Sequence, residues 1–163
     1  MIVTAEIAPR DFSWIEGLRR AHYPAERNRL PAHLTIFHAL PPSAETELRR
    51  RLADTVRQQP PAAAVAGLMD LGGGVAFRVV SPDLDRIRDA LACDLHGLLG
   101  AQDSGGWRPH ITIQNKVAPK VARALRDRLE RGFMPRPLAI AGLGLHRYLD
   151  GPWERVATHP FRP

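Results

Sequence analysis

Two tetrapeptides carry residue types able to do chemistry. His33-Leu34-Thr35-Ile36 and His110-Ile111-Thr112-Ile113 share the order histidine, aliphatic, threonine, aliphatic. Each follows a proline closely, Pro31 in the first case and Pro109 in the second, and nearly half the chain separates them. Side chains alternate between the two faces of a β-strand. In extended backbone His33 and Thr35 therefore share one face and Leu34 and Ile36 the other, and the second tetrapeptide divides in the same way. Each strand would bury an aliphatic face and present an imidazole beside a hydroxyl. A lone His-x-Thr carries little information. Two copies, each with the same alternation, predict two imidazoles and two hydroxyls facing one small volume across a groove.

That set suits reaction at a phosphodiester without a metal ion. A base must take a proton from water or a hydroxyl, and an acid must protonate the departing oxygen. Imidazole, with an ordinary pKa of about 6.5, can do either near neutral pH. Hydroxyls and a protonated imidazole can meet the charge on the non-bridging oxygens. The two copies are chemically symmetric, so the residues do not divide the roles. His33 as acid and His110 as base is a working assignment.

The elements that must position these residues follow from pattern and punctuation. IVTAEI reads as a first strand, broken by Pro9 to Asp11, with Asp11 as a cap for a helix carrying Phe12, Ile15 and Leu18. His33 to Leu40 reads as a strand stopped by Pro41-Pro42, and Ser43 as the cap of a helix through Leu48, Leu52 and Val56. Two extended runs around Gly72-Gly73-Gly74 predict a hairpin, with a turn and not a phosphate loop at the glycines. Ser81-Pro82 starts a helix through Leu84, Ile87, Leu91 and Leu95, and AQDSGG is read as a loop. A strand then carries His110, a helix opens at Pro119, and two strands flank a turn at Asp150-Gly151-Pro152. The order β α β α β β α β α β β contains a rough internal echo, which predicts two related α+β lobes.

Composition sets the outer limits. The chain has 163 residues, 44% hydrophobic and 25% charged, which suits a single globular domain over residues 1–163 made of two lobes. No apolar run is long enough to span a bilayer, and the N-terminus lacks the pattern of a secretory signal, so a cytoplasmic protein with no membrane partner is expected. The one cysteine, Cys93, excludes an internal disulfide and a cysteine-rich zinc site; its apolar surroundings in sequence predict a buried small hydrophobe. The seven histidines show no His-x-x-x-His or His-Glu-x-x-His spacing, so no metal and no cofactor are expected. A net charge of +6 admits an anionic partner, although the near-absence of lysine, confined to Lys116 and Lys120, is also what genome base composition produces.

Further residues join the candidate site by position. Phe37 continues the His33 and Thr35 face and could stack on a base. Gln114 and then Lys116 continue the other face, within reach of a base, ribose or phosphate. Arg29 and Arg108 precede the motifs, and Arg108 shares the parity of His110. Tyr148 and Trp153 flank the last turn, where core or hairpin packing is the first reading and a stacking wall at the cleft border is the alternative. His146 lies on a terminal strand that could line the cleft. His38 has the parity of Leu34 and Ile36 and is expected to face away. His22, His96 and His159 have no partner at a useful spacing.

The paired HLTI and HITI motifs, their spacing and the closing strand pair LGLHRYLDGPWERVATHPF resemble the 2H phosphoesterase superfamily, which includes 2′-5′ RNA ligase-like proteins and RNA 2′,3′-cyclic phosphodiesterases. The resemblance covers nearly the whole chain. It implies an α+β, bilobal, pseudo-twofold fold with two antiparallel sheets flanking a central cleft and helices outside. It implies His33 and His110 as the catalytic pair, Thr35 and Thr112 as phosphate ligands, and no metal. The implied activity is metal-independent hydrolysis of a 2′,3′-cyclic phosphate on RNA or a nucleotide, with 2′-5′ ligation as a related reaction, carried out by a monomer. The alternatives are a non-catalytic RNA- or nucleotide-binding module and a cyclic phosphodiesterase acting on a small sugar phosphate.

Overall fold

The computed structural model describes residues 1–162. The chain runs β1 (Ile2–Ile7), α1 (Pro9–His22), β2 (Leu34–Phe37), α2 (Glu45–Thr55), β3 (Ala64–Asp70), β4 (Val75–Val80), α3 (Pro82–Asp94), α4 (Ala101–Ser104), β5 (His110–Gln114), α5 (Pro119–Glu130), β6 (Arg136–Pro137), β7 (Ile140–Tyr148) and β8 (Trp153–Pro160). The strands form two four-stranded antiparallel sheets, ordered β2-β1-β7-β8 and β5-β4-β3-β6. The expected element order holds, with two additions. A four-residue helix, α4, interrupts the loop expected at AQDSGG, and the two-residue strand β6 precedes the last hairpin.

The sheets exchange a strand in their connectivity. β1 pairs with β2 and β4 with β5, so each motif strand lies at a sheet edge beside the strand that precedes it in the chain. β3, which follows the first motif, joins the second sheet, and β7, which follows the second motif, joins the first. The aliphatic faces of both motif strands enter one cluster of buried side chains. Leu34, Ile36, Ile111 and Ile113 are fully buried there with Leu48 and Leu52 of α2 and Leu84, Leu91 and Leu95 of α3 and its end.

The helix starts depend on proline and local caps. Pro9, Pro82 and Pro119 each occupy the first turn of a helix, where a missing N–H costs nothing. Ser81 caps α3 as expected, its hydroxyl accepting from the Leu84 N–H at 3.1 Å. Asp11 and Ser43 do not act as caps. α1 begins at Pro9, which places Asp11 inside its first turn; the buried Asp11 carboxylate instead accepts from the Ala139 N–H at 2.9 Å and ties α1 to the start of β7. Ser43 lies within a 3₁₀ turn ahead of α2. Cys93 is exposed, against the expectation of a buried hydrophobe. The buried stripe of α3 includes Leu84, Ile87 and Leu91, and two residues beyond Leu91 a helix has turned about 200° away from that stripe.

Candidate active site

The same irregularity occurs in both motif strands. Val3 pairs with Phe37 and Thr4 with Thr35, which leaves Ile36 as an extra residue in β2. Val75 pairs with Gln114 and Ala76 with Thr112, which leaves Ile113 as an extra residue in β5. A bulge of this kind interrupts the alternation of side chains. It turns Phe37 and Gln114 to the buried side, at 0% and 5% exposure, next to the isoleucines that precede them. Neither lines the cleft, so neither can stack on or read a base. Gln114 donates from Nε2 to the His22 carbonyl at 3.2 Å, while its Oε1 has no partner among the described residues. The bulge also reverses the expectation for His38, which lines the cleft.

Before the bulges the alternation holds. His33, Thr35, His110 and Thr112 line one cavity of about 400 Å³ between the two motif strands. Both imidazoles are held alike. His33 Nδ1 lies 2.8 Å from the Pro31 carbonyl and His110 Nδ1 lies 2.7 Å from the Arg108 carbonyl. A carbonyl can only accept, so each Nδ1 carries a proton and each Nε2 is the nitrogen left for chemistry. The proline-containing approach to each motif thus fixes a tautomer. The edges are stitched by side chains as well: Trp107 Nε1–H donates to the Thr35 carbonyl at 3.0 Å, and Arg19 Nη1 to the Thr112 carbonyl at 2.6 Å.

The walls differ. Trp153 packs against His33 with ring centroids 4.8 Å apart and against His146 at 5.6 Å. His33 also borders a second cavity of about 180 Å³, lined in part by Thr4, Glu6, His146 and Arg155. There the Thr4 hydroxyl donates to Glu6 Oε1 at 2.9 Å and lies 2.9 Å from His146 Nε2. Its single proton is committed to Glu6, so His146 Nε2–H is the donor to Thr4. The His146 hydrogen bond, followed by those of Thr4 and the charge of Arg155, holds the Glu6 carboxyl below its usual range despite burial. Desolvation in this wall pushes the His33 imidazole down to about 4. The charges of Arg19, His110 and His146 act in the same direction, and the Pro31 hydrogen bond opposes them.

Arg108 and Trp153 line the cleft. Lys116 does not: it follows the strand in an exposed turn with φ of 61°, its N–H bonded to the Asn115 side chain. Tyr148 is 57% exposed and is not in the cleft lining; it lines an adjoining groove of about 790 Å³ that shares His38 and Trp153 with the cleft. Arg29 is exposed and is not part of the cleft lining. Arg88, Asp103 and Trp107 line the cleft although no sequence pattern singles them out. Arg88 reads as one more polar residue of an amphipathic helix and Asp103 as a loop residue. Only Trp107, three residues before His110, has a position that could draw attention. Among the described residues no cluster of three or more histidine, cysteine or acidic side chains is placed to hold a metal, and no helix is long and apolar enough to cross a membrane.

A family model described as the 2′-5′ RNA ligase superfamily matches residues 6–152. No curated protein matches the chain. Among solved structures, the crystal structure of TT0787 of Thermus thermophilus superposes with a TM-score of 0.69 at 15% identity, covering 99% of this chain and 98% of that one. At that identity the likeness concerns the fold.

Proposed function

The chain belongs to the 2′-5′ RNA ligase superfamily of 2H phosphoesterases, and from that premise we propose that it hydrolyses 2′,3′-cyclic phosphates of RNA ends or nucleotides with His33 and His110 as the acid–base pair. The observation that carries this reading is the convergence of both motif histidines and both motif threonines on one cavity, each imidazole with its Nε2 left free of the backbone anchor. The cavity volume, about 400 Å³, lies at the low end for ligand pockets and favours a nucleotide-sized group over a length of polymer.

In this mechanism the Thr35 and Thr112 hydroxyls donate to the non-bridging oxygens. Water attacks phosphorus, one ring P–O bond to the ribose breaks, and the product is a phosphomonoester. The base Nε2 takes the proton from water, and the acid Nε2–H gives one to the departing ribose oxygen. We assign His33 as base, the reverse of the working assignment, because desolvation against the Trp153 wall favours its neutral, proton-accepting form. The negative charge of a bound phosphate raises its affinity for a proton to a more useful range. His110 is then the acid. With a ribose hydroxyl as nucleophile in place of water, the same pair serves 2′-5′ bond formation from a cyclic phosphate.

The test is turnover of an oligoribonucleotide ending in a 2′,3′-cyclic phosphate, in excess EDTA, by wild type, His33→Ala and His110→Ala. We expect metal-independent turnover that falls by at least about 10²-fold in each variant. Folded wild type without turnover points to a small cyclic phosphate or to a binding module. Turnover that survives both substitutions removes this site.

A further inference from the structure

Arg88 is a buried cation with few protein partners. It is 8% exposed, yet its one protein hydrogen bond among the described residues runs from Nη2 to the Asp103 carbonyl at 2.5 Å, and its Nε has no partner. No carboxylate among them lies within ion-pair distance of it. Its guanidinium carbon lies over two aromatic rings, 5.2 Å from the Phe37 ring centre and 5.7 Å from that of Trp107. A guanidinium has five N–H donors, and burying one without an anion or a full set of acceptors is costly. Arg19 shows the contrast. It is comparably buried, but it donates from Nε to Asn28 and the Leu30 carbonyl and from Nη1 to the Thr112 carbonyl, and none of its buried nitrogens is left without a partner among the described residues.

The setting of Arg88 points outward to a ligand. It lines the same cleft as the motif residues, and so does His38. The Asp103 carboxylate accepts from the His38 and Ala39 N–H groups and, at 3.1 Å, from His38 Nδ1. Both its oxygens are occupied, it is 2% exposed, and it fixes His38 with Nδ1 as donor. His38 Nε2 makes no hydrogen bond to the protein among the described residues and is available from the cleft side. Arg108 adds a further cation to the lining.

We propose that Arg88 and His38 form a second anion subsite, which takes the phosphate on the 5′-oxygen of the nucleotide whose cyclic phosphate reacts. The preferred substrate then carries two phosphates, and the 5′-phosphate is either terminal or internucleotide. This deepens the proposed function and rests on it. The phosphate supplies acceptors for the Arg88 Nη protons that the Asp103 carbonyl does not take, and planar guanidinium suits phosphate oxygens.

The experiment compares kcat/KM for adenosine 2′,3′-cyclic phosphate, its 5′-phosphorylated form, and an ApA dinucleotide ending in the cyclic phosphate, in wild type, Arg88→Met and His38→Gln. Wild type is expected to prefer the 5′-phosphorylated substrate over the nucleoside form by at least about tenfold, a single charge-assisted contact being worth that much. The ratio should fall close to one in Arg88→Met and partway in His38→Gln, whose half-exposed site tolerates substitution if Arg88→Met fails to fold. The dinucleotide sharing the preference shows that an internucleotide phosphate serves; the preference confined to the 5′-phosphorylated nucleotide shows a terminal one. A wild-type ratio near one, or a ratio unchanged in both variants, overturns the subsite. If wild type turns over none of the three, equilibrium binding of adenosine 2′,5′-bisphosphate against adenosine 2′-phosphate tests the subsite separately. Equal affinity in wild type overturns it, and tighter binding of the bisphosphate that falls close to equality in Arg88→Met and partway in His38→Gln sustains it while the activity reading fails.

Discussion

The two motif strands repeat each other closely, whereas the walls behind them do not. Both have His and Thr on the cleft side, Nδ1 anchored to a carbonyl two residues back, and an extra isoleucine that breaks the alternation at the same place. Beyond the strands the likeness stops. Thr35 pairs with Thr4, which pairs with Gly144, in a polar patch that includes Glu6 and His146. Thr112 pairs with Ala76, which pairs with Met69, an apolar counterpart. Of the two catalytic candidates, His33 is the one that carries Trp153 on its ring. The repeated motif supplies two equivalent imidazoles, and in the proposed mechanism it is their unequal surroundings that separate base from acid.

The largest expected effects come from the residues just past the bulges, where equivalent positions hold unlike side chains. Phe37→Ala should destabilise by about 3–5 kcal/mol, the range for deleting a buried aromatic ring. Gln114→Met should cost no more than about 1 kcal/mol, because the lost hydrogen bond to the His22 carbonyl is offset by removal of a buried oxygen without a partner. Urea unfolding of both variants checks the pair. Equal losses would mean that the two positions past the bulges do not differ in the way their burial and bonding indicate.

A smaller effect tests the polar patch. A Cβ on Gly144 would clash with Glu6 Oε1 and come within 2.6 Å of the Thr4 hydroxyl and 2.8 Å of His146 Nε2. Gly144→Ala should therefore destabilise by about 1–3 kcal/mol, the usual range for overpacking. Urea unfolding without a change in midpoint would show that the three groups are not gathered over Gly144.

The finest test is the acid side of the pH profile of kcat/KM, which reports the free enzyme. A base must be neutral, so with His33 as base activity is lost as pH falls through about 4. With His33 as acid, activity would instead be lost as pH rises through that value. Trp153→Ala opens the wall and should move the acid limb upward, toward the ordinary histidine pKa of about 6.5. An acid limb that stays in place in this variant would sever the link between Trp153 and His33.

Much of the scaffold is legible because it depends on local signals. Pro9, Ser81-Pro82 and Pro119 mark helix starts through their own backbone chemistry, and the HLTI and HITI alternation separates a buried face from a chemical one. Legibility fails at the bulges. Strict alternation puts Phe37, Gln114 and His38 on the wrong face, since a one-residue insertion reverses parity and depends on pairing with β1 and β4. Cys93 is misjudged because an apolar neighbourhood in sequence is not a face of a helix. Arg88 and Asp103 escape notice because each is an ordinary residue on its own element, and Asp103 meets His38 only across 65 residues of chain.

By itself the sequence determined the two half-sites, the order of the elements that carry them and the superfamily to which they point, because alternation, capping and proline act over a few residues. The tertiary structure alone decided which side chains join those half-sites in the cleft, and it set Trp153 and the Glu6 patch beside His33 and not beside His110. Desolvation and pairing register are set by what packs against a residue, and that partner lies elsewhere in the chain.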